Sequence, residues 1–216
     1  MLYDENYLQN FSGEINPESI NICELANSLE KFVTNREYRY STDHKDIPNL
    51  ILHVNNENIP HLLGLSRSHH VGLSTYQPKM IFEELKGHLT LNVLRDGDER
   101  WFPENQYKLI GCMLLYQIFN QCNCEIYTTL GIPKTHKMMK RFTRDNIHFI
   151  FVKAPNNLFF SVELSTSQNN ENGEAIYFPR SLKLNDDKVI QVCNKVNVTN
   201  LEISRLSTKK RKHRRK

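Results

Sequence analysis

The chain has 216 residues, 28 Lys and Arg against 24 Asp and Glu, a formal net charge of +4 and a hydrophobic fraction of 39%. A chain of this length can bury a sizeable core without disulfide staples, and no apolar run approaches the ~20 residues of a membrane-spanning helix. The five cysteines are an odd set, and the opening stretch MLYDENYLQNF has neither a basic n-region nor an apolar h-region. These features lead us to expect a soluble, cytoplasmic protein with no membrane association and no structural disulfides.

The charge is unevenly placed. The final eight residues, Lys209 to Lys216, carry seven Lys and Arg, and removing them turns the +4 of the whole chain into −3 for the remainder. A like-charged block cannot fold on itself, so residues 206–216 are read as a disordered basic tail. Such a tail suits a polyanion, nuclear localisation or solubility alike, and composition does not separate these. Lys209, Lys210 and Arg211 are its candidate substrate-binding residues.

Residues 1–15 are read as an N-terminal extension and 16–205 as a single α+β domain. From Pro17 to Asn35, apolar residues Ile22, Leu25, Ala26, Leu29, Phe32 and Val33 recur at helical spacing. Glu37 to Ser41 alternates like a short strand, and Asn49 to Val54 is a second apolar run closed by the turn Asn55-Asn56-Glu57-Asn58. Ile59 to Leu65, with Pro60 near its start and Gly64 near its end, suits a short helical turn. Gln77 to Lys86 predicts a helix stopped by Gly87, and His88 to Arg95 predicts a strand. Asn105 to Asn120 predicts the most apolar helix, running through the core. Cys122-Asn123-Cys124 has no second Cys or His cluster at zinc spacing and is read as free thiols at a helix end.

The second half is richer in β-branched and aromatic residues. Glu125 to Thr129, Ile147 to Lys153 and Leu158 to Ser165 predict strands, the last two joined as a hairpin by Ala154-Pro155-Asn156-Asn157. A further strand, Ala175 to Phe178, is expected to end at Pro179. Val189 to Val198 alternates like a strand. The expected architecture is α+β, built on a twisted antiparallel sheet packed on helices.

Missing motifs narrow the chemistry. There is no Gly-rich dinucleotide fingerprint, no phosphate-cradling Gly-Lys-Ser/Thr loop, no His-Glu-x-x-His and no Gly-x-Ser-x-Gly, which argues against nucleotide hydrolases and zinc proteases. Carboxylates are scattered rather than grouped, which disfavours a two-metal nuclease. The residues that remain beside the turns suit RNA cleavage without a metal or other cofactor. That reaction needs a base for the ribose 2′-hydroxyl, an acid for the leaving 5′-oxygen and a cation on the phosphorane. His61, between Pro60 and an apolar turn, is the leading candidate, because unperturbed histidine titrates near pH 6.5. His69 and His70 form a second pair close behind. At the other end of the chain, Tyr177-Phe178-Pro179-Arg180-Ser181 can aim a guanidinium and a hydroxyl at one phosphate.

The run from Leu50 to Leu65, ending in IPHLLGL, and the stretch IYFPRSLKL, Ile176 to Leu184, resemble segments of the fourth family of phage-associated Barnase-EndoU-Colicin-RelE-like nucleases. The resemblance spans about residues 20–203, with only these two segments specific. It implies a Barnase/EndoU/RelE-like sheet of four to five antiparallel strands and a metal-independent ribonuclease activity. By position it implies that His61 matches the family histidine and Ser181 the motif serine, with Tyr177 and Pro179 beside it; Arg180 is added on chemical grounds. Lys79, where the following helix begins, and Arg67 are further candidate cations. The polar, histidine-rich SRSHHVGLSTYQ departs from the family pattern. The resulting expectation is an endoribonuclease acting on tRNA or mRNA as a toxin or phage effector, with a cognate inhibitor protein as a possible partner. The alternative is a non-catalytic nucleic-acid or protein-binding module of a mobile element.

Overall fold

The computed structural model of the protein describes residues 2–65, 77–133 and 135–206. Among them, eight strands form one strongly curled, half-barrel sheet in an α+β arrangement. The strands are β1 (Arg36–Thr42), β2 (Asn49–Val54), β3 (Glu125–Thr128), β4 (Ile147–Lys153), β5 (Phe160–Asn169), β6 (Ala175–Leu184), β7 (Asn194–Val196) and β8 (Val198–Arg205). Their order is β7-β3-β4-β5-β6-β2-β1-β8. Every neighbouring pair is antiparallel except β2 and β6, which run parallel through Ile51↔Ile176 and Leu52↔Tyr177. The sheet is therefore larger than the four to five strands expected, and mixed. Strands β2, β1 and β8 join β6 and the strands beyond it through that one short parallel pairing.

The two faces of the sheet carry different cores. Tyr38, Tyr40, Leu50, Leu52, Val54, Phe149, Phe151, Val162, Leu164, Tyr177 and Leu182 face the main core. It is covered by α1 (Glu5–Asn10), α2 (Ile22–Phe32), α4 (Pro78–Gly87), α5 (Leu91–Gly97), α6 (Trp101–Met113) and α7 (Leu115–Phe119). On the other face Tyr127, Ile147, Ile150 and Val152 pack against Met139 and Phe142 of α8 (Lys137–Asp145) and Val189 of α9 (Lys188–Val192). Each fully buried Phe or Leu contributes about 1.5–3 kcal/mol of transfer free energy, so alternation along β4 and β5 fixes their registers firmly. Two buried tyrosine hydroxyls are paired: Tyr40 donates to the Phe119 carbonyl at 3.0 Å, and Tyr38 to the Val33 carbonyl at 2.7 Å.

Several expectations are corrected by tertiary packing. The first fifteen residues are not peripheral: Asp4 caps α1, and Tyr3, Leu8 and Phe11 are buried in the main core. The helix expected from Pro17 to Asn35 is divided into a 3-10 turn, Pro17–Ser19, and α2, because Asn21 caps a new start by accepting from the Glu24 amide. His88 to Arg95 is not a strand. Thr90 caps α5, which buries Leu91 and Leu94 and leaves Val93 exposed, so a three-residue spacing wins over the apparent alternation. The long apolar helix begins at Trp101 and breaks at Leu114 into α6 and α7. Val189 to Val198 is divided among α9, β7 and the start of β8. The β4–β5 hairpin forms as expected, with Asn156 and Asn157 at φ +48° and +64° in its turn. Strand β6 runs on through Pro179 instead of ending there.

Candidate functional site

The parallel contact between β2 and β6 is short, and it leaves a gap. Past Tyr177, β6 continues to Leu184 while β2 ends at Val54, so among the described residues this half of β6 is paired only with β5. Proline lacks a ladder donor and fits a strand with an unpaired edge, as Pro179 does here. Where β2 ends, the turn Asn55 to Asn58 hands the chain to α3 (Asn58–Leu62), which packs on β6. A cleft of about 780 Å³ opens at this divergence, outside the carboxyl end of β2. Ligands in sheets with parallel neighbours favour such positions.

The turn is firmly tied. Asn58 accepts from the Asn55 amide at 2.6 Å, and Asn56 donates to Glu30 at 2.7 Å while accepting from the Thr34 hydroxyl. Glu30 in turn pairs with Lys86 of α4 at 2.9 Å. Within α3 and the residues after it, Ile59, Pro60, Leu62, Leu63 and Leu65 are buried and His61 is exposed to the cleft it lines. Gly64 closes the helix at φ +76°, and a Cβ there would collide with Asn105 and lie 3.1 Å from the Lys108 ammonium. Only glycine lets α6 approach closely enough to bring Lys108 to the cleft.

Arg180 reaches the same cleft by a different device. In the β5–β6 ladder Leu164 faces Pro179 and Glu163 faces Ser181, so Arg180 is the extra residue of a β-bulge. Bulges bend a strand and re-aim a side chain. The Arg180 side chain is 41% exposed, and its guanidinium lies 3.7 Å from Asp145, a loose surface pair worth about 0–1 kcal/mol.

Among the described residues, the cleft is lined by His53, His61, Lys108, Arg180 and Lys183, with Glu57 as the one carboxylate. This lining suits an anion. Of the residues singled out in the sequence, His61, Arg180 and Ser181 meet here. The Ser181 hydroxyl is engaged, donating to Glu163, which also pairs with Arg141 of α8. Lys79 is exposed on α4 and is not part of the lining, although its neighbour Pro78 is. Tyr177 is buried in the main core, its ring 4.9 Å from Phe149, and burial raises its phenol above the usual range. Arg67, His69, His70, Lys209, Lys210 and Arg211 lie outside the described residues.

His53, Lys108 and Lys183 carry no motif of their own. The signal for His53 was the strand pattern itself, since Leu50, Leu52 and Val54 face the core and put His53 on the other face. Its Nε2 meets Glu37 Oε2 at 2.8 Å, and Arg39 holds the other Glu37 oxygen at 3.1 Å. Burial pushes the Glu37 carboxyl up, but the bonds from His53 and Arg39 outweigh it and leave the group below the usual glutamate range.

Elsewhere, Cys122 and Cys124 are free thiols in the turn between α7 and β3. Among the described residues no three His, Cys, Asp or Glu side chains gather as a metal-holding group, and no helix is long and apolar enough to cross a membrane. Compared with known protein families, curated proteins and solved structures, the chain matches none.

Proposed function

We propose that the protein is an endoribonuclease that cleaves RNA by attack of a ribose 2′-hydroxyl on the neighbouring phosphate, without a metal, and that the cleft beside β6 is its active site. One observation carries the reading: His61 and the bulge-borne Arg180 border a single cleft edged by Lys108 and Lys183. His61 transfers a proton, and Arg180 stabilises the charge that gathers on the phosphorane. Lysines at the rim hold the flanking phosphates, as point charges on the RNA backbone. Ser181 braces the bulge through Glu163 instead of donating to phosphate. Lys79 and Tyr177 receive no chemical role.

The same reading retains the likeness to Barnase-EndoU-Colicin-RelE-like nucleases. The contiguous antiparallel run β3-β4-β5-β6 supports it as a four-stranded nuclease-like core, with β2, β1 and β8 added along the β6 edge. On this view tRNA or mRNA is the substrate, and a toxin or phage-effector role follows from the resemblance carried by IPHLLGL and IYFPRSLKL. The basic tail raises RNA affinity without selecting sequence.

The test is cleavage of RNA by the full chain in EDTA, with the new ends examined for 2′,3′-cyclic phosphate. His61→Ala and Arg180→Ala are each expected to slow cleavage by about 10²–10⁴-fold. Unchanged cleavage by His61→Ala would remove the assignment. Salt-dependent RNA binding by the wild type with no cutting would favour the binding-module reading.

A further inference from the structure

We propose that His53 is a second proton-transfer residue of this cleft, the general acid for the leaving 5′-oxygen, and that Glu37 is its positioning residue. The inference rests on the ribonuclease reading above and assigns roles that the reading leaves open.

Three observations carry it. His53 and His61 line the same cleft, one from the end of β2 and the other from α3. Glu37 stands directly opposite His53 in the β1–β2 register, and its carboxylate contacts His53 Nε2 at 2.8 Å. Glu37 is itself held by Arg39, which also lies 3.7 Å from Glu174. A carboxylate only accepts, so Nε2 carries a proton and the ring orientation is fixed, leaving Nδ1 as the other working nitrogen. The carboxylate thus holds the His53 ring so that Nδ1 is the nitrogen left to face a leaving oxygen, while His61 works from the other wall of the cleft.

The step then balances. His61 accepts the proton of the ribose 2′-hydroxyl as the O2′–P bond forms. The P–O5′ bond breaks, and O5′ takes the proton given up by Nδ1 of His53. The products are a 2′,3′-cyclic phosphate and a free 5′-hydroxyl. Exchange with water restores both rings. Among the described residues, the charged and titratable groups beside His53 or lining the cleft with it are Glu37 and Arg39 on β1, Glu57 and His61 before and within α3, Lys108 on α6, and Arg180 and Lys183 on β6.

The experiment compares two substrates with the full chain in EDTA. One is RNA, whose alkoxide leaving group needs a proton. The other is uridine 3′-(p-nitrophenyl phosphate), whose phenolate leaves without one. His53→Ala is expected to lose about 10²–10⁴-fold on RNA and less than about 10-fold on the nitrophenyl ester. His61→Ala is expected to lose on both. Glu37→Gln should lose less than His53→Ala on RNA, with the loss falling on kcat and not on KM, and should lose little on the nitrophenyl ester, because the ring loses the partner that orients it. Equal losses on both substrates for His53→Ala, or wild-type cleavage of RNA by it, would overturn the assignment while leaving the ribonuclease reading intact. A wild-type protein inert on both substrates would instead overturn the ribonuclease reading and the His53 role with it.

Discussion

The Ser181 hydroxyl donates to the carboxylate of Glu163, its partner directly across the β5–β6 ladder, and Glu163 is only 2% exposed. The same carboxylate pairs with Arg141, whose other guanidinium nitrogen meets Asp186 at 2.6 Å. The network fastens α8 to the strand segment that carries the bulge at Arg180. Removing one partner of a buried pair costs more than the pair contributes, because the other charge stays behind. Glu163→Ala is therefore expected to cost about 3–5 kcal/mol. Ser181→Ala should cost about 1.5–3 kcal/mol, the range for a hydrogen bond to a charged group. Urea unfolding of the two single variants and the double variant checks this, and the losses should fall short of additivity by at least about 0.5 kcal/mol.

Gly111 lies inside α6, where an alanine would ordinarily gain about 1 kcal/mol of helix propensity. Here the added Cβ would sit 2.6 Å from Leu182 Cδ2 and 2.9 Å from Phe160 Cδ1. Both neighbours are fully packed core side chains, and overpacking of this kind costs about 1–3 kcal/mol. Gly111→Ala should therefore lower the urea midpoint instead of raising it. Leu182 adjoins Ser181 and Lys183 on β6, so the same variant should also slow any RNA cleavage at the cleft, although Gly111 does not line it.

Local pattern made part of this site legible and left part of it hidden. His61 stands out because Ile59-Pro60-His61-Leu62-Leu63 offers one polar side chain in an apolar turn, and burial of its neighbours leaves it facing the cleft. Arg180 follows Pro179, where the strand was expected to end, so the bulge that aims its side chain was hidden until the ladder formed. The pairing of Ile51 with Ile176 is different: it joins segments far apart in the chain, and neither segment encodes the contact by itself. The contribution of Lys108 depends on it indirectly, through α3 and the close approach at Gly64. His88 to Arg95 was ambiguous between two periods, and only the core could decide. The Glu37–His53 pair would have followed from the hairpin register, since those two residues are cross-strand partners.

His148 on β4 gives a pH dependence of definite sign. Burial alone lowers its pKa from the usual histidine range, and its Nε2 contacts Asn146 Oδ1 at 3.1 Å. The folded protein therefore binds fewer protons at this site than the unfolded chain, and stability rises with pH across the interval. The loss begins as pH falls through the unfolded value of about 6.5 and stops below the lowered folded value. His148→Gln removes the titration. Urea unfolding at a series of pH values between 5 and 7 should show a flatter slope for the variant than for the wild type.

The five cysteines should separate by reactivity, because their surroundings favour the thiolate to different degrees. Cys122 follows α7 at φ +51° and is half-buried, and a hydrogen bond from Cys124 favours its thiolate, lowering its pKa despite burial. The same contact, followed by burial, pushes Cys124 well up. Burial raises Cys23, pushes Cys193 up to about 11 and pushes Cys112 up to about 12. Cys112 is also fully enclosed within α6 and the main core, so it reacts only when the core opens. Timed labelling with N-ethylmaleimide near neutral pH, read by peptide mass spectrometry, should modify Cys122 first and Cys112 last. Adding urea to the unfolding midpoint should bring Cys112 into step with the others, whereas Cys122 should lose its lead, since its advantage comes from a folded-state hydrogen bond. Early labelling of Cys112 in the native protein would contradict the packing of α6 against β5 and β6.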